Sequence, residues 1–72
     1  MTSDQAIDRA KAFADARGWT WREPIHAATY RPWFVLPLRW RVVSNYQARG
    51  MNVRIEIDDA TGEVLSGNYI PR

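Results

Sequence analysis

Acidic residues gathered in one stretch are the first candidates for chemistry in this sequence. Asp58 and Asp59 are adjacent, and Glu56 and Glu63 lie close to them. A carboxylate pair can act as general acid and base or bind a hard cation. However, an aspartate in a turn commonly accepts hydrogen bonds from its own backbone, and this stretch lacks the alternating oxygen ligands of a calcium loop. We therefore predict that these acids serve a turn, and we expect no metal or cofactor.

His26 is the only histidine. Nucleophilic catalysis would require a serine or threonine held beside it and a third group that orients the ring, and the local sequence indicates neither. One histidine cannot complete a zinc site, and the chain contains no cysteine. We predict a structural or surface role for His26 and no catalytic residue in the chain.

Arginines on one strand face form the candidate nucleic-acid site. Arg39, Arg41 and Arg54 could bind phosphates while nearby aromatic rings stack on bases. Glu56 and Asp58 are expected opposite two of these arginines, which cancels much of their field. The net charge is only +2, and the pI of about 9.5 reflects a small arginine surplus and no basic tract. A solvated, salt-bridged face is favoured, and nucleic-acid binding is kept as the alternative function.

An aromatic segment, residues 30–34, is the candidate protein-binding site. Its aromatic and arginine side chains are of the types that dominate protein interfaces. Exposed, the segment would anchor a protein partner; buried, it would close the open end of a small core, and the core interpretation is slightly favoured. The candidate partner-binding residues are therefore Tyr30, Arg31, Trp33 and Phe34, together with Arg39, Arg41 and Arg54.

The element that positions these side chains is a strand over residues 51–58. Apolar residues alternate strictly with polar ones there, as in a strand with one buried and one solvated face. If residues 47–50 form a turn, this strand pairs with residues 38–46 in a hairpin. The register that places apolar pairs on one face and opposite charges on the other pairs Trp40 with Ile57, Val42 with Ile55, Arg41 with Glu56, Arg39 with Asp58 and Tyr46 with Met51.

The turn that ends at Gly62 leads to a last strand with two possible registers. Plain counting places Val64 opposite Ile57. It then sends Leu65 and Tyr69 to the polar face. A bulge at Gly62 would instead bring both side chains to the apolar face.

The N-terminal region predicts an amphipathic helix from Thr2 to Arg17. Thr2 and Gln5 have the spacing of a capping box, and Gly18 is the expected left-handed stop. One face carries Ala6, Ile7, Ala10, Phe13 and Ala14. This alanine-rich face can approach a sheet closely.

The segment between the helix and the hairpin has a less regular pattern, so its structure is harder to predict. Trp19 and Trp21 alternate with polar residues, which indicates a short first strand that Pro24 interrupts or places at an edge. Residues 25–30 could continue it, and residues 31–37, with two prolines, are predicted to form a loop.

Length and composition predict one domain over residues 1–72, near the size at which a single core suffices. No apolar run approaches the ~20 residues that span a bilayer. The first residues include acids where a signal peptide needs a basic start. We expect a cytoplasmic protein as the sequence stands, or an exported one if the chain is a fragment.

The segment from Ile55 to Leu65 reads I-x-I-D-x-x-T-G-E-V-L. With the preceding helix and the strand at Trp40, it resembles the PepSY domain, which occurs in propeptides of secreted metallopeptidases and in small bacterial proteins. The resemblance implies a small α+β unit whose antiparallel sheet wraps one helix. It also implies a non-catalytic role in binding and restraining a peptidase or another partner, and it supplies no catalytic residues.

We therefore predict an α+β fold in which an N-terminal helix packs on a three- to four-stranded antiparallel sheet. The main functional hypothesis is a protein-binding or peptidase-regulating module, acting through an exposed sheet edge or the aromatic segment. A nucleic-acid-binding module is the first alternative, and an enzyme or ligand carrier with a site between helix and sheet is a less favoured second. A homodimer formed through a sheet edge is compatible with this fold.

Overall fold

The computed structural model describes residues 1–31, 33, 37–46 and 50–70. Helix α1 (Ser3–Ala16) is followed by strands β1 (His26–Tyr30), β2 (Arg39–Val43), β3 (Asn52–Asp58) and β4 (Val64–Ile70). The strands form one antiparallel sheet in the order β1-β2-β3-β4, and α1 contacts all of them. The predicted α+β fold, a helix packed on an antiparallel sheet, is confirmed with four strands.

Helix α1 begins and ends where the sequence predicts. The Thr2 hydroxyl accepts a hydrogen bond from the Gln5 N–H at 3.2 Å, and the Gln5 side chain accepts one from the Thr2 N–H at 2.9 Å. This capping box satisfies two backbone donors that the first turn leaves without helical partners. Gly18 ends the helix with a φ of 72°, the left-handed conformation that glycine adopts without steric cost.

The core lies between α1 and the inner face of the sheet. The helix contributes the fully buried Ala6, Ala10 and Ala14, whose short side chains permit close packing. The sheet contributes Trp40, Val42, Val53, Ile55 and Ile57. Helix and sheet are thus held together by apolar burial, worth about 25 cal/mol for each Å² removed from water.

The β2–β3 register follows the sequence prediction. Trp40 pairs with Ile57 and Val42 with Ile55, while the charged pairs are Arg41 with Glu56 and Arg39 with Asp58. A slip by one residue would turn the apolar set to solvent, which explains why the pattern determines the pairing.

The predicted Tyr46–Met51 pair is not part of this ladder. The paired residues end at Val43, and just beyond it the Ser44 N–H donates to the Val53 carbonyl. The Tyr46 N–H instead donates to the Pro24 carbonyl at 3.0 Å. Residues 47–49 of the predicted turn lie outside the described residues.

A buried asparagine explains why the hairpin departs from plain pairing here. The Asn52 side-chain amide donates to the carbonyls of Ser44 and Asn45, and its carbonyl oxygen accepts from the Gly50 N–H. Asn45 and Met51 both adopt positive φ angles, 50° and 54°. Because buried polar groups cost free energy unless they are paired, Asn52 stabilises this bend against a regular ladder.

Strand β4 contains a bulge at Leu65, so neither predicted register is entirely right. Val64 pairs with Ile57, as plain counting predicts. The next pair is Ser66 with Glu56, which leaves Leu65 as the extra residue. The shift places Tyr69 opposite Val53 on the inner face, as the bulged alternative predicts, whereas Leu65 stays exposed.

The predicted first strand at Trp19 and Trp21 is wrong, because β1 begins at His26. The Trp19 ring lies edge-on to Phe13, with ring centroids 5.9 Å apart, and stacks with Tyr69 at 6.2 Å. The alternation of tryptophan and polar residues therefore reflects aromatic packing at the end of the helix and no strand pairing. Of the predicted loop over residues 31–37, positions 32 and 34–36 fall outside the described residues.

Candidate partner-binding surface

Four of the predicted partner-binding residues share the outer face of the sheet, which is the face turned away from α1. Arg39 and Arg41 alternate with the inward-facing residues of β2, and Tyr30 pairs with Arg39 across β1 and β2. Arg54 alternates in the same way along β3. Because side chains in a strand point to alternate faces, the register determines this grouping.

Glu56 lies at the centre of this outer face. Its carboxylate accepts a hydrogen bond from Arg41 at 3.2 Å and lies 3.9 Å from an Arg39 nitrogen. The Arg41 guanidinium also sits over the Tyr30 ring, 4.4 Å from its centroid. One acid therefore holds two arginines in place, and one of these arginines orders the aromatic ring.

Electrostatics follow from this geometry. Burial acts to raise the pKa of the Glu56 carboxyl, but hydrogen bonding from Tyr30 and Arg41 and the charges of Arg41 and Arg39 outweigh it and hold the pKa below its ordinary value. Hydrogen bonding to Glu56 and Tyr30 raises the pKa of Arg41 above its ordinary value. Glu56 is therefore a charge partner and is poorly suited to act as a general acid near neutral pH.

Arg54 differs from the other two arginines. It is exposed, and within the described part of the chain it makes no ion pair. Asp58 does not neutralise Arg39 directly, because its carboxylate accepts hydrogen bonds from the backbone N–H groups of Ala60 and Thr61 at 2.8 and 3.1 Å. The outer face thus retains a modest positive excess.

Trp33 is exposed, so the slightly favoured core interpretation of the aromatic segment is wrong for this residue. Its relative exposure is 67%, the largest among the big apolar residues that the structure describes. Tyr30 is half-buried through its contact with Arg41, and Arg31 is exposed. Phe34 lies outside the described residues. The indole of Trp33 is therefore accessible just beyond the end of β1.

The two adjacent aspartates have different roles. Asp58 serves the turn, as predicted. Asp59 instead accepts a hydrogen bond from the Trp40 indole N–H at 2.7 Å and lies 3.7 Å from the Met1 amino group. Asp59 therefore satisfies the one polar atom of a buried tryptophan, a contact that sequence spacing could not reveal.

A groove of about 530 Å³ runs between α1 and the turn after β3, and it is lined by Met1, Gln5, Asp8, Arg9, Ala12, Asp59, Ala60, Thr61 and Gly62. Asp8, Arg9 and Asp59 give it charges of both signs, and no described set of three or more His, Cys, Asp or Glu residues could hold a metal ion. Nothing in its lining points to a particular ligand chemistry.

Exposed apolar side chains that the sequence did not single out lie at two other places. His26 stacks with Tyr46, with ring centroids 4.3 Å apart, and Tyr46 remains 50% exposed. Leu65 and Ile70 are exposed on β4, at the opposite edge of the sheet from β1. Plain counting did place Leu65 on the polar face, but no local sequence signal located the bulge of β4 at Leu65 instead of Gly62.

Comparison with known proteins gives no match: no family model, no curated protein and no solved structure matches the chain. The resemblance to PepSY domains therefore stays a prediction. Within the part of the chain that the structure describes, no helix is long and apolar enough to cross a membrane.

Proposed function

We propose that this protein is a non-catalytic binding module of PepSY type that attaches to a protein partner, with a peptidase as the partner class implied by the resemblance. The observation that carries the proposal is the exposure of Trp33, which is 67% accessible and follows the edge strand β1 by three residues in the chain. Tryptophan at the centre of an interface is among the strongest contributors to binding. A small protein that leaves such a ring in water gives up core burial, which a partner would restore.

The outer face of the sheet also supports a protein partner. Tyr30, two strands away from Glu56, is held by the Arg41 guanidinium, so little side-chain freedom is left to lose on binding. Tyrosine, tryptophan and arginine are enriched together at protein interfaces. In this proposal, Trp33 and Tyr30 serve as the apolar anchors and the outer-face arginines as the cationic rim.

Nucleic-acid binding is the weaker alternative. It would use Arg39, Arg41 and Arg54, but the first two already lie within 4 Å of the Glu56 carboxylate. A phosphate would have to compete with that carboxylate, which lowers the gain from each contact. The pairing of Arg39 and Arg41 with Glu56 does not oppose a protein partner that packs on the aromatic rings.

The test is a Trp33→Ala substitution. We expect it to weaken capture of the partner from an extract of the source cell by about 30-fold, as for a hot-spot tryptophan. Because the indole is mostly exposed, the melting temperature should fall by less than about 4 °C. Quantitative mass spectrometry of the captured proteins and thermal unfolding measure the two effects.

Leu65→Ala is the matched control, since Leu65 is also a large exposed apolar residue but lies at the opposite edge of the sheet. It should leave capture unchanged. Equal capture by the wild type and by Trp33→Ala would reject the proposed surface. If the captured partner is a peptidase, the purified protein should inhibit its hydrolysis of a peptide substrate and Trp33→Ala should relieve that inhibition.

A further inference from the structure

The two edges of the sheet differ in how they are protected. Exposed edges invite pairing with other chains, and proteins commonly blunt them with bulges, charges or proline. β4 carries the bulge at Leu65. β1 has a regular pairing over its whole length, its sequence HAATY contains no charged residue or proline, and three of its five residues are exposed. β1 is therefore the edge strand that no bulge interrupts, and we take it as the open edge of the sheet.

The backbone groups on this edge can be assigned from the ladder. The Ser44 N–H donates to a β3 carbonyl, and backbone groups of successive residues point to alternate sides of a strand. The backbone groups of Arg41, which lies three residues before Ser44, therefore point to β1, where Arg41 pairs with Ala28. It follows that the N–H and C=O groups of Ala27 and Thr29 point outward, away from the sheet.

The charge distribution indicates what would pair there. Residues 19–43, which contain β1 and β2, carry four arginines and a single acid, Glu23. Residues 44–72, which contain β3 and β4, carry three arginines and four acids. The positive excess of the chain is thus concentrated on the half that includes the open edge. Complementary potentials favour an acidic partner over a basic one.

We propose that β1 accepts an extended, acidic segment of a protein partner as a fifth strand, paired through the outward backbone groups of Ala27 and Thr29. The inference rests on the proposed function, because it names the binding mode of the same partner surface. Main-chain hydrogen bonds supply affinity in this mode, and alternate side chains supply specificity. Trp33, just beyond β1, packs on the end of the added strand.

Side-chain placement explains the preference for acids. Every second residue of the added strand lies on the outer face, beside Ala28 and between the rings of His26 and Tyr30. Ala28 is small and exposed, so it leaves room there. Arg39 and Arg41 are on the same face, and the Arg41 side chain keeps 46% of its surface accessible. A carboxylate at this position lies beside the accessible part of the Arg41 side chain, which it shares with Glu56.

The experiment is a selection from a phage-displayed library of linear peptides about 10 residues long, enough to cover a strand of ordinary length. The library is selected on the wild-type protein alone. The enriched peptides are then tested on Thr29→Pro, which removes the outward N–H while the β1–β2 ladder keeps its bonds. Thr29→Val is the matched control, because it is β-branched and retains the N–H.

We expect the enriched peptides to alternate apolar and acidic residues. They should bind Thr29→Pro about tenfold more weakly than the wild type and bind Thr29→Val within about twofold. Amide hydrogen exchange of Ala27 and Thr29 should slow when such a peptide is bound. Circular dichroism and thermal unfolding verify that Thr29→Pro is folded. Should it not fold, the wild type should still reject the same peptides N-methylated at alternate residues.

Other results would overturn the inference. Enriched peptides that are basic, that bind Thr29→Pro as well as the wild type, or that tolerate N-methylation would exclude an acidic fifth strand. A dimer of the wild-type protein, seen by light scattering and lost in Thr29→Pro, would assign the edge to a second copy of the chain. Loss of partner capture in Trp33→Ala but not in Thr29→Pro would reject strand addition and leave the proposed function standing. If neither Trp33→Ala nor Thr29→Pro affects capture, strand addition and the proposed function are both rejected.

Discussion

Glu56 shows how one carboxylate can organise a surface without doing chemistry. It contacts the side chains of Arg39 and Arg41, and through Arg41 it fixes Tyr30. Exposed ion pairs of this kind contribute at most about 1 kcal/mol each to stability. Their value here lies in side-chain order, because a partner meets side chains that already hold their positions.

The depressed pKa of Glu56 leads to a prediction about acid stability. A carboxyl whose pKa is lower in the folded than in the unfolded state contributes stability above its unfolded pKa, and the contribution is lost as pH falls through the folded pKa. We expect the free energy of unfolding of the wild type to fall between about pH 5 and pH 3. Glu56→Gln should flatten that fall.

Urea denaturation at a series of pH values measures this effect, with Glu63→Gln as the matched control. Glu63 is an exposed glutamate that makes no ion pair within the described part of the chain. Identical slopes for the wild type and Glu56→Gln would show that Glu56 is not charge-stabilised in the folded state.

At the scale of elements, the contact between α1 and β4 depends on a glycine. Gly67 lies opposite Ile55 on the inner face. A Cβ atom there would come within 2.5 Å of the Phe13 ring, far closer than atoms can pack. The glycine therefore weakens the intrinsic preference of β4 for a strand but gives the helix its aromatic contact.

Gly67→Ala should consequently destabilise the protein by about 1–3 kcal/mol, since the helix or the Phe13 ring must shift to relieve the overlap. Chemical denaturation measures the change. In Phe13→Ala the same glycine substitution should cost less, and this double-mutant cycle isolates the contact. A Gly67→Ala protein as stable as the wild type would mean that the ring moves freely.

The contact between Phe13 and Gly67 could not be predicted from the sequence, whereas the β2–β3 register could. The β2–β3 register could be predicted because two independent patterns, apolar pairs such as Trp40–Ile57 and charged pairs such as Arg41–Glu56, agree on it. For β4, local patterns allowed two registers. The choice depends on a helix residue more than fifty positions away, and no period in the strand records that contact.

For the candidate site, the sequence could predict only which residues share a face of the sheet. Strand alternation placed Arg39, Arg41 and Arg54 on one face, and the predicted register brought Arg41 onto Glu56. Tyr30 joins them through the β1–β2 pairing, for which the sequence predicted no register. The exposure of Trp33 could not be deduced, because composition alone favoured burying every large ring. The structural roles of Asn52 and Asp59 likewise depend on bends and indole positions that spacing does not encode.

For the whole molecule, charge is divided between the two halves of the sheet and no strong field arises. The arginines of β2 are compensated by Glu56, and the net charge of the chain is +2. Proteins that bind nucleic acids without sequence preference rely on a continuous cationic path with stacking rings. The cationic path on this sheet is short, and Glu56 partly neutralises it.

We therefore expect no measurable binding of fluorescein-labelled single-stranded DNA or RNA at about 50 mM salt, where phosphate contacts are strong. Fluorescence anisotropy measures it. Binding that weakens steeply with added salt and is lost in Arg54→Ala would contradict this expectation. It would make the arginine face a nucleic-acid surface.

The strand order has a consequence for the rate at which the protein folds. Each strand pairs with its neighbour in the chain, with no crossover, so hairpin closure can build the sheet in short steps. Proteins dominated by such local pairings cross their folding barrier faster than sheets assembled from distant segments. The docking of α1 on β4 joins the two ends of the described chain. It carries the largest closure entropy, so we expect the helix to complete its packing after the central hairpin has formed.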